Sequence, residues 1–318
     1  MCYSAQIQAD YRKYVRLWGA DIDLREFHRL YWDRSQGARI KIPKAMDAAF
    51  ANPANEDERA IKALIDAWDA QETSRLEQEL FKQRKRLADA ERALSTKPTK
   101  AAAESRRIAS AKVAWILGKL AALRRSEPLD EDARIFPGWY APVMLARESR
   151  RIVMPMRYQC RPAGKPASCD RRFPGTYNAR RDNLEGFWKK QFGHTHAIMV
   201  VNAFFENVSR HAMEHRDLAA GEKDENVVLE FRPRPQHDML VACLWSHWQG
   251  AGEDLYSFAA ITDDPPAEIA AAGHDRCIVP IKPEHVDAWL NPDAKDFGAL
   301  YAILDARDRP YYEHRMAA

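Results

Sequence analysis

No part of this sequence is apolar over a stretch long enough to cross a membrane. The longest apolar runs, such as residues 197–205, are far shorter than the roughly 20 residues that a membrane helix requires. The N-terminus also lacks the hydrophobic core of a secretory signal. We therefore expect a soluble, cytoplasmic protein without a membrane partner.

Cysteine pairs and metal-binding patterns are missing as well. The five cysteines are odd in number, widely spaced and without a CxxC pair, which argues against a disulfide framework or a zinc ribbon. They are Cys2, Cys160, Cys169, Cys243 and Cys277. Two histidine pairs, His194 with His196 and His211 with His215, have no third ligand nearby. Because the GxGxxG, P-loop and GxSxG patterns are absent too, the sequence predicts neither a metal nor a cofactor.

The chain also carries little net charge. It has 49 Lys and Arg against 46 Asp and Glu, or +3, which excludes a histone-like or disordered basic protein. Of its 318 residues, 46% are apolar and 30% are charged, which is typical of a globular protein. The length is enough for about two domains. A basic region confined to one segment is still compatible with these totals.

Residues 56–126 differ in amino-acid composition from the rest of the chain. They contain almost no glycine and are rich in Ala, Leu, Glu, Lys, Arg and Gln, which favour helices. Leu80, Leu87 and Leu94 recur every seven residues, and apolar residues recur at helical spacing after Lys97-Pro98. This pattern predicts an inserted antiparallel helical hairpin over residues 57–126. Its first helix, of about 39 residues, would be about 58 Å long, so we expect it to project.

The positive charge of the protein is concentrated in this hairpin. Residues 57–126 hold 16 Lys and Arg and 10 Asp and Glu, or +6, which leaves −3 for the remainder. Four cations, Lys82, Arg84, Lys85 and Arg86, are nearly consecutive. One interpretation is an arm that contacts DNA or a protein partner. The other, favoured because basic clusters on long helices are common, is an ordinary solvated helix face.

Short apolar runs separated by proline and glycine make up most of the remaining sequence. Residues 10–32 are compatible with one or two short helices interrupted near Gly19. The strand-like runs include 151–154, 197–201, 227–231, 239–245, 257–262 and 277–281, and residues 284–290 resemble a helix. Strands that follow one another with tight links predict a mainly antiparallel sheet with flanking helices. The predicted fold class is therefore α+β, with the helical hairpin inserted.

Cys2 offers chemistry that an internal cysteine does not have. A small residue at position 2 permits removal of Met1, which makes Cys2 an N-terminal 1,2-aminothiol. The α-amine, with a reference pKa of about 7.7 to 8.0, and the thiol, at about 8.5, are both usable nucleophiles near neutral pH. The amine can condense with an aldehyde to an imine, which the thiolate closes to a thiazolidine. The alternative is a thiol without a function, and Cys2 alone would favour it.

Three other segments favour a function for Cys2. Residues 176–180 read T-Y-N-A-R, residues 201–206 read V-N-A-F-F-E, and residues 273–280 read G-H-D-R-C-I-V-P. With Met1-Cys2 they resemble, in order and spacing, the motifs of the SOS-response-associated peptidase (SRAP) family. Tyr140-Ala141-Pro142 and Cys243-Leu244-Trp245 are similar to two further segments of that family. The resemblance covers roughly residues 1–8 and 139–290.

The resemblance implies one SRAP-like catalytic domain over residues 1–318, interrupted by the hairpin. It would react through Cys2 with the ring-opened aldehyde of abasic sites in single-stranded DNA. Asn178 would orient the α-amine or the thiazolidine by hydrogen bonds. Glu206, with a pKa raised by desolvation, would move protons at the amine, and His274 would protonate the sugar ring oxygen. The same two groups would assist removal of Met1, a self-processing peptidase activity.

Arg180 and Arg276 complete the implied site. Each follows a motif residue, Asn178 or His274, by two positions, and residues two apart share a face of a strand. In the resembled family such arginines hold the phosphates beside the abasic site. The alternative for each is an ion pair with a neighbouring aspartate.

Two departures from the family pattern concern the DNA groove. The family usually has Gly-Arg after the cysteine, whereas Tyr3-Ser4 stands here, so one phosphate-binding arginine is missing. The tryptophans that precede the N-A-R motif are absent too, and Arg171, Arg172 and Phe173 stand nearby. The resemblance therefore implies an intact set of reacting groups with a divergent groove.

The resulting hypothesis is a DNA-repair enzyme, nucleoid-associated when it acts, that forms a thiazolidine crosslink with abasic sites in single-stranded DNA. Its reversal would be a lyase-like activity. Two alternatives from other classes stay open at this point. One is a non-covalent nucleic-acid or protein-binding module that uses the hairpin. The other is an N-terminal-nucleophile amidase acting on a small substrate.

Overall fold

The computed structural model describes residues 3–250 and 252–317, which form two compact units. The sheet unit consists of the described parts of Met1–Leu30, Arg39–Asn52 and Asp130–Ala318. The hairpin unit consists of Tyr31–Ala38 and Pro53–Leu129. The change of composition near residue 56 therefore coincides with a structural boundary. That residues 1–318 act as one catalytic domain interrupted by residues 57–126 stays a prediction.

Helices and a large sheet are both present, which confirms the α+β fold class. The helices are α1 (Tyr11–Trp18), α2 (Leu24–Ser35), α3 (Lys44–Ala48), α4 (Glu56–Thr96), α5 (Lys100–Arg124), α6 (Cys169–Arg172), α7 (Arg210–Met213), α8 (Ala267–Ala271), α9 (Val286–Leu290) and α10 (Phe297–Asp305). The strands are β1 (Ser4–Ile7), β2 (Asp21–Ile22), β3 (Arg134–Ile135), β4 (Tyr140–Arg147), β5 (Arg150–Tyr158), β6 (Asn178–Arg180), β7 (His196–Ser209), β8 (Asn226–Arg234), β9 (Met239–Gly250), β10 (Glu253–Asp263), β11 (Cys277–Ile278), β12 (Pro280–Ile281) and β13 (Tyr311–Met316). In the described part of the chain, none of these helices has the length and apolar composition of a membrane span.

Five strands of the sheet unit pair in a closed circuit. The circuit runs from β7 to β9, β10, β5, β4 and back to β7, and only its β10–β5 pairing is parallel. β1 and β8 pair with β7 outside this circuit, β3 pairs with β1, and β13 with β8, all antiparallel. The short strand β6 runs parallel to β10. The predicted mainly antiparallel sheet is confirmed.

The central strand β7 is buried on both faces. Its inner residues include Ile198 and Val200, which belong to a core cluster with Trp289 of α9 and Leu304 of α10. Because β7 pairs with four other strands and is covered on both faces, its sequence reads as a continuous apolar run rather than an alternating one. The run 197–201 therefore predicted the strand correctly, although it extends further, to Ser209.

The hairpin unit contains the two long antiparallel helices that the sequence predicts. Asn55 caps α4 by accepting a hydrogen bond from the Glu58 N–H at 2.9 Å, and Thr99 caps α5 in the same way. Leu76 and Leu80 of α4 pack on Ile116 and Leu120 of α5 in an apolar cluster. Its 41 residues make α4 about 60 Å long at 1.5 Å per residue.

The segment 277–281 forms two short strands instead of one. β11 pairs with β10, whereas β12 pairs with β9. Between them, the Val279 N–H donates to the Ile261 carbonyl of β10 and the Val279 carbonyl accepts from the Ala242 N–H of β9. The chain therefore crosses from one strand to the next at this residue, a change of partner that a local pattern does not encode.

Candidate functional site

Glu206 and His274 form a buried pair in the sheet unit. Glu206 is on β7, and His274 follows Gly273, whose φ of +90° turns the chain after α8. The Nε2 atom of His274 lies 3.2 Å from Oε2 of Glu206, and the side chains are 6% and 0% exposed. The structure thus brings two of the predicted site residues into contact and removes both from water.

The hydrogen bonds of His274 indicate where its protons are. Nδ1 lies 2.8 Å from the carbonyl oxygen of Arg276, which can only accept, and 3.3 Å from the Arg276 N–H. We assign the shorter contact as Nδ1–H donating to the carbonyl, which leaves Nε2 facing Glu206. Burial lowers the pKa of His274, and the Arg276 carbonyl opposes that shift in part. Burial thus favours the neutral imidazole, whose role in proton transfer stays a prediction.

The same contacts correct one prediction about this segment. Residues 274–276 form a bend rather than a strand, because the His274 ring bonds to the backbone of Arg276 two residues further on. His274 and Arg276 therefore do not share a strand face. For Asn178 and Arg180 the strand prediction is correct, since both lie on β6.

Asn178 is held in the parallel pairing of β6 with β10, opposite Ala260. It is 6% exposed, and neither its amide nitrogen nor its amide oxygen has a hydrogen-bond partner among residues 3–250 and 252–317. Thr262, which pairs with Arg180 on the same strand face, is equally buried and its hydroxyl is also without a partner in that part of the chain. An Asn in a turn commonly bonds to the backbone through its side chain, and the Asn178 side chain makes no such bond among the described residues, so its predicted binding role stays open.

The first described residues of the chain lie beside both parts of this site. The Tyr3 ring contacts the Tyr177 ring edge-on with centroids 6.3 Å apart, next to Asn178. Ser4 pairs with Phe205 across β1 and β7, next to Glu206. Cys2 precedes Tyr3 in the sequence but lies outside the described residues, so its predicted role is untested.

Arg180 and Arg276 are both associated with carboxylates. Arg180 makes a bidentate ion pair with Asp182, with Nε 3.0 Å from Oδ1, and its side chain is 46% exposed. Arg276 has a looser contact, 3.8 Å from Asp275, and is largely buried. Arg276 and Asp182 both line a cavity of about 360 Å³. The ion-pair alternative therefore describes Arg180 in this structure, and the DNA contacts stay a prediction.

A comparison with protein families matches residues 92–316 to SRAP, described as SOS response associated peptidase. This range is more than two thirds of the chain. The chain belongs to the SRAP family. Membership connects it with DNA damage and the SOS response and, at the level of the family, with the processing of abasic sites. The matched range contains Asn178, Glu206 and His274 but not residues 1–91.

Three solved structures are similar to this SRAP-family chain. A protein from Bordetella bronchiseptica is 18% identical, with a TM-score of 0.47 over 58% of this chain and 87% of that one. A protein from Bacteroides thetaiotaomicron is 16% identical, with a TM-score of 0.46 over 60% and 79%. A phage-related protein from Bordetella bronchiseptica is 16% identical, with a TM-score of 0.44 over 61% and 85%. No curated protein matches the chain in sequence.

Arg134 is a cation beside Ser4 and Phe205 that the sequence motifs did not indicate. Its Nε donates to the hydroxyl of Ser4 at 3.0 Å, and its guanidinium lies 3.7 Å from the ring centroid of Phe205. Within the described residues no carboxylate is in ion-pair distance of it. Pairing of β3 with β1 brings it there across 130 positions of sequence, and no local pattern signals such a contact. It thus places a cation beside position 4, where the resemblance implied a missing arginine.

The other cysteines of this SRAP-family chain are poor nucleophiles. All four that the structure describes are buried and free. Burial raises the pKa of Cys160 to about 12, and it raises the pKa of Cys169, Cys243 and Cys277 as well. Since the thiolate is the reactive form, these thiols are inert near neutral pH.

His196, one member of the two histidine pairs, is held by aromatic rings and backbone hydrogen bonds in the core. His196 is buried between Phe192 and Trp289, and burial lowers its pKa to about 3. Its Nε2 accepts from the Gly193 N–H at 2.9 Å, and its Nδ1 donates to the Trp289 carbonyl at 3.0 Å. In the part of the chain that the structure describes, no three His, Cys, Asp or Glu side chains are grouped to hold a metal ion.

Proposed function

We propose that this SRAP protein attaches covalently to abasic sites in single-stranded DNA through Cys2. The observation that carries the proposal is the buried Glu206–His274 pair, one residue away from Phe205, which pairs with Ser4 at the start of β1. Two ionisable groups that can give and take protons in a water-poor place suit the condensation of an amine with an aldehyde. The sheet unit is the catalytic part in this proposal.

The reaction divides into three balanced steps. His274 donates a proton to the sugar ring oxygen, the bond from that oxygen to the anomeric carbon breaks, and the hydroxyl on this carbon loses its proton to water as the aldehyde forms. The α-amine of Cys2, freed by removal of Met1, adds to the aldehyde carbon, and Glu206 carries two protons in turn from nitrogen to the former aldehyde oxygen, which leaves as water and gives the imine. The Cys2 thiolate then adds to the imine carbon while the imine nitrogen takes up a proton, which gives the thiazolidine.

The character of the remaining cysteines supports the choice of nucleophile. Each described cysteine is held as a thiol by burial, so a reactive thiolate has to come from Cys2. Asn178 supports it further, because its amide oxygen and nitrogen can orient an amine or a thiazolidine nitrogen.

Cations near these groups fit an anionic polymer. Arg134 lies over Phe205 beside Ser4. Arg276 and Arg181 line a cavity together with Asp182, Asp263 and Asp264, so a phosphate bound there would have to displace carboxylates from the arginines. Contacts of this kind hold phosphates without reading base sequence, as recognition of a lesion in any sequence demands. Arg180 would exchange Asp182 for a phosphate on binding.

A denaturing gel tests the proposal. Processed wild-type protein is incubated with a single-stranded oligonucleotide that contains one abasic site, and intact mass confirms the loss of Met1. We expect a shifted species that survives denaturation, and we expect Cys2→Ser protein to lose it, because serine forms at most a transient imine. Equal yields from both proteins would exclude the thiazolidine, and purified protein that retains Met1 would favour a non-covalent binding module.

A further inference from the structure

The positive charge of the hairpin unit lies near its turn. The tip segment, which we define as residues 81–119, holds 11 Lys and Arg and 3 Asp and Glu, a charge of +8. The base segment, residues 57–80 and 120–126, holds 5 Lys and Arg and 7 Asp and Glu, a charge of −2. The hairpin is therefore a strongly basic tip on an acidic base.

Ion pairs neutralise the base segment and leave most of the tip unpaired. In the base, Arg59, Lys62, Arg75 and Arg124 each have a carboxylate within 2.5 to 2.6 Å. In the tip, only Arg92 and Arg107 have such a partner among the described residues. The cations without one are Lys82, Arg84, Lys85, Arg86, Lys97, Lys100, Arg106, Lys112 and Lys119. Since the tip has three acidic residues against eleven cations, most of its positive charge has no counter-charge within the segment.

The tip segment also exposes large apolar side chains. Phe81 is 73% and Trp115 56% exposed, although Leu80 and Ile116, their neighbours in sequence, pack together in the hairpin core. The Lys119 ammonium lies 5.9 Å from the Trp115 ring centroid. Surfaces that bind single-stranded nucleic acid combine aromatic rings with unpaired cations, because the bases stack on the rings and the phosphates contact the cations.

We infer that the tip segment binds the single-stranded DNA that flanks the abasic site, without sequence preference. The charge and the exposed aromatic rings of the tip indicate that it binds a polyanion. That this polyanion is DNA rests on the proposed function of the sheet unit. The phosphates contact Lys82, Arg84 and Lys85, and bases stack on Trp115. The occupant is a nucleic acid rather than an acidic protein because aromatic stacking accompanies the charge.

Two charge-matched variants of the full chain test this inference. The tip variant carries Lys82→Gln, Arg84→Gln and Lys85→Gln, and the base variant carries Arg59→Gln, Lys62→Gln and Arg75→Gln. Glutamine is a good helix former, so equal helix content by circular dichroism is expected for both. Affinity for an undamaged 40-nucleotide single strand is measured by fluorescence anisotropy over a range of salt concentrations.

The tip variant should bind about 10- to 100-fold more weakly near 0.1 M salt, with the slope of log K against log salt reduced by about 2. The base variant should bind nearly as the wild type does. Equal losses of affinity in both variants would mean that only the net charge of the protein matters. No loss of affinity in the tip variant would mean that the tip contacts an acidic protein or solvent instead of DNA. Either result would overturn the inference.

Two further arms separate this inference from the proposed function. Trp115→Ala should weaken binding to single-stranded DNA about 5- to 100-fold and binding to duplex DNA little, and equal effects on both would exclude stacking. With a saturating concentration of an abasic strand, the tip variant should reach the wild-type maximal rate of crosslinking, because the tip contributes affinity and not chemistry, and a lower maximal rate would overturn the inference. If neither protein crosslinks, the proposed function fails while the affinity measurements still decide the role of the tip.

Discussion

The Nε2 atom of His274 lies 3.2 Å from a carboxylate oxygen of Glu206, in the interior of the sheet unit. An inner strand and a loop after α8 contribute the two groups, and neither side chain has appreciable contact with water. In a low-dielectric interior, removal of one partner of such a pair leaves the other uncompensated. The contact is therefore a buried pair of ionisable groups rather than a surface ion pair.

Glu206→Gln should slow crosslinking to abasic single-stranded DNA about 100-fold, because the amide cannot carry a proton between nitrogen and oxygen. Affinity for undamaged DNA should not change. The rates come from single-turnover denaturing gels, and Glu230→Gln is the matched control, since Glu230 is a buried carboxylate that pairs with Arg232 and Arg315. A loss of DNA affinity as large as the loss of rate would make Glu206 a structural residue.

Asn178→Ala should reduce the rate of crosslinking while leaving the free energy of unfolding within about 0.5 kcal/mol, because no described hydrogen bond is lost. Asn183→Ala is the control. Its side chain accepts from the Phe187 N–H at 3.1 Å, so its loss should cost about 1 kcal/mol without an effect on the rate. Urea unfolding measures both variants, and a large loss of stability in Asn178→Ala would contradict a binding role.

Arg134→Gln should weaken binding to single-stranded DNA and reduce the salt slope by about 0.7, the value for one phosphate contact. Arg134→Lys keeps the charge and should retain the slope. Arg151→Gln serves as control, because Arg151 pairs with Asp287 at 2.7 Å. A slope that is unchanged in Arg134→Gln would remove this residue from the DNA interface.

His196 should make the sheet unit sensitive to acid. Burial lowers its pKa to about 3, so the unfolded chain takes up a proton below about pH 6.5 while the folded chain does not. Its contribution to stability is complete above pH 6.5 and falls as the pH drops, by about 2 kcal/mol between pH 7 and pH 5. Urea unfolding of His196→Phe should show a pH dependence smaller by this amount, whatever its absolute stability, and an equal dependence would refute the prediction.

Ile116→Ala should destabilise the hairpin unit by about 2 to 4 kcal/mol, since Ile116 is 1% exposed in the cluster with Leu76 and Leu80. Leu117→Ala removes a neighbouring side chain that is 42% exposed and should cost less than about 0.5 kcal/mol. Hydrogen exchange of the amides of α4 and α5 measures the difference. Equal protection in the two variants would mean that the cluster does not stabilise the hairpin.

Local patterns predicted the helical hairpin well. The periodicity placed the first helix at residues 57–95, and the structure has Glu56–Thr96, because heptad spacing, caps and the Lys97-Pro98 break all lie within a few residues of one another. The helix Phe297–Asp305 and the strand Tyr311–Met316 were not predicted. Both are short, and the strand is formed by pairing with β8, almost 80 positions away.

The sequence by itself determined the α+β class, the hairpin with its charge and the motifs of the SRAP family. These features can be predicted because they depend on residues close together in the sequence, through their periodicity and their side-chain chemistry. Only the tertiary structure decided that Glu206 meets His274, that Arg134 reaches Ser4, and that Arg180 is paired with Asp182. The first two contacts join residues far apart in the chain, and strand pairing and burial create them, whereas the third depends on how β6 ends. The same folding left the tip cations of the hairpin unpaired, which a count of charges does not reveal.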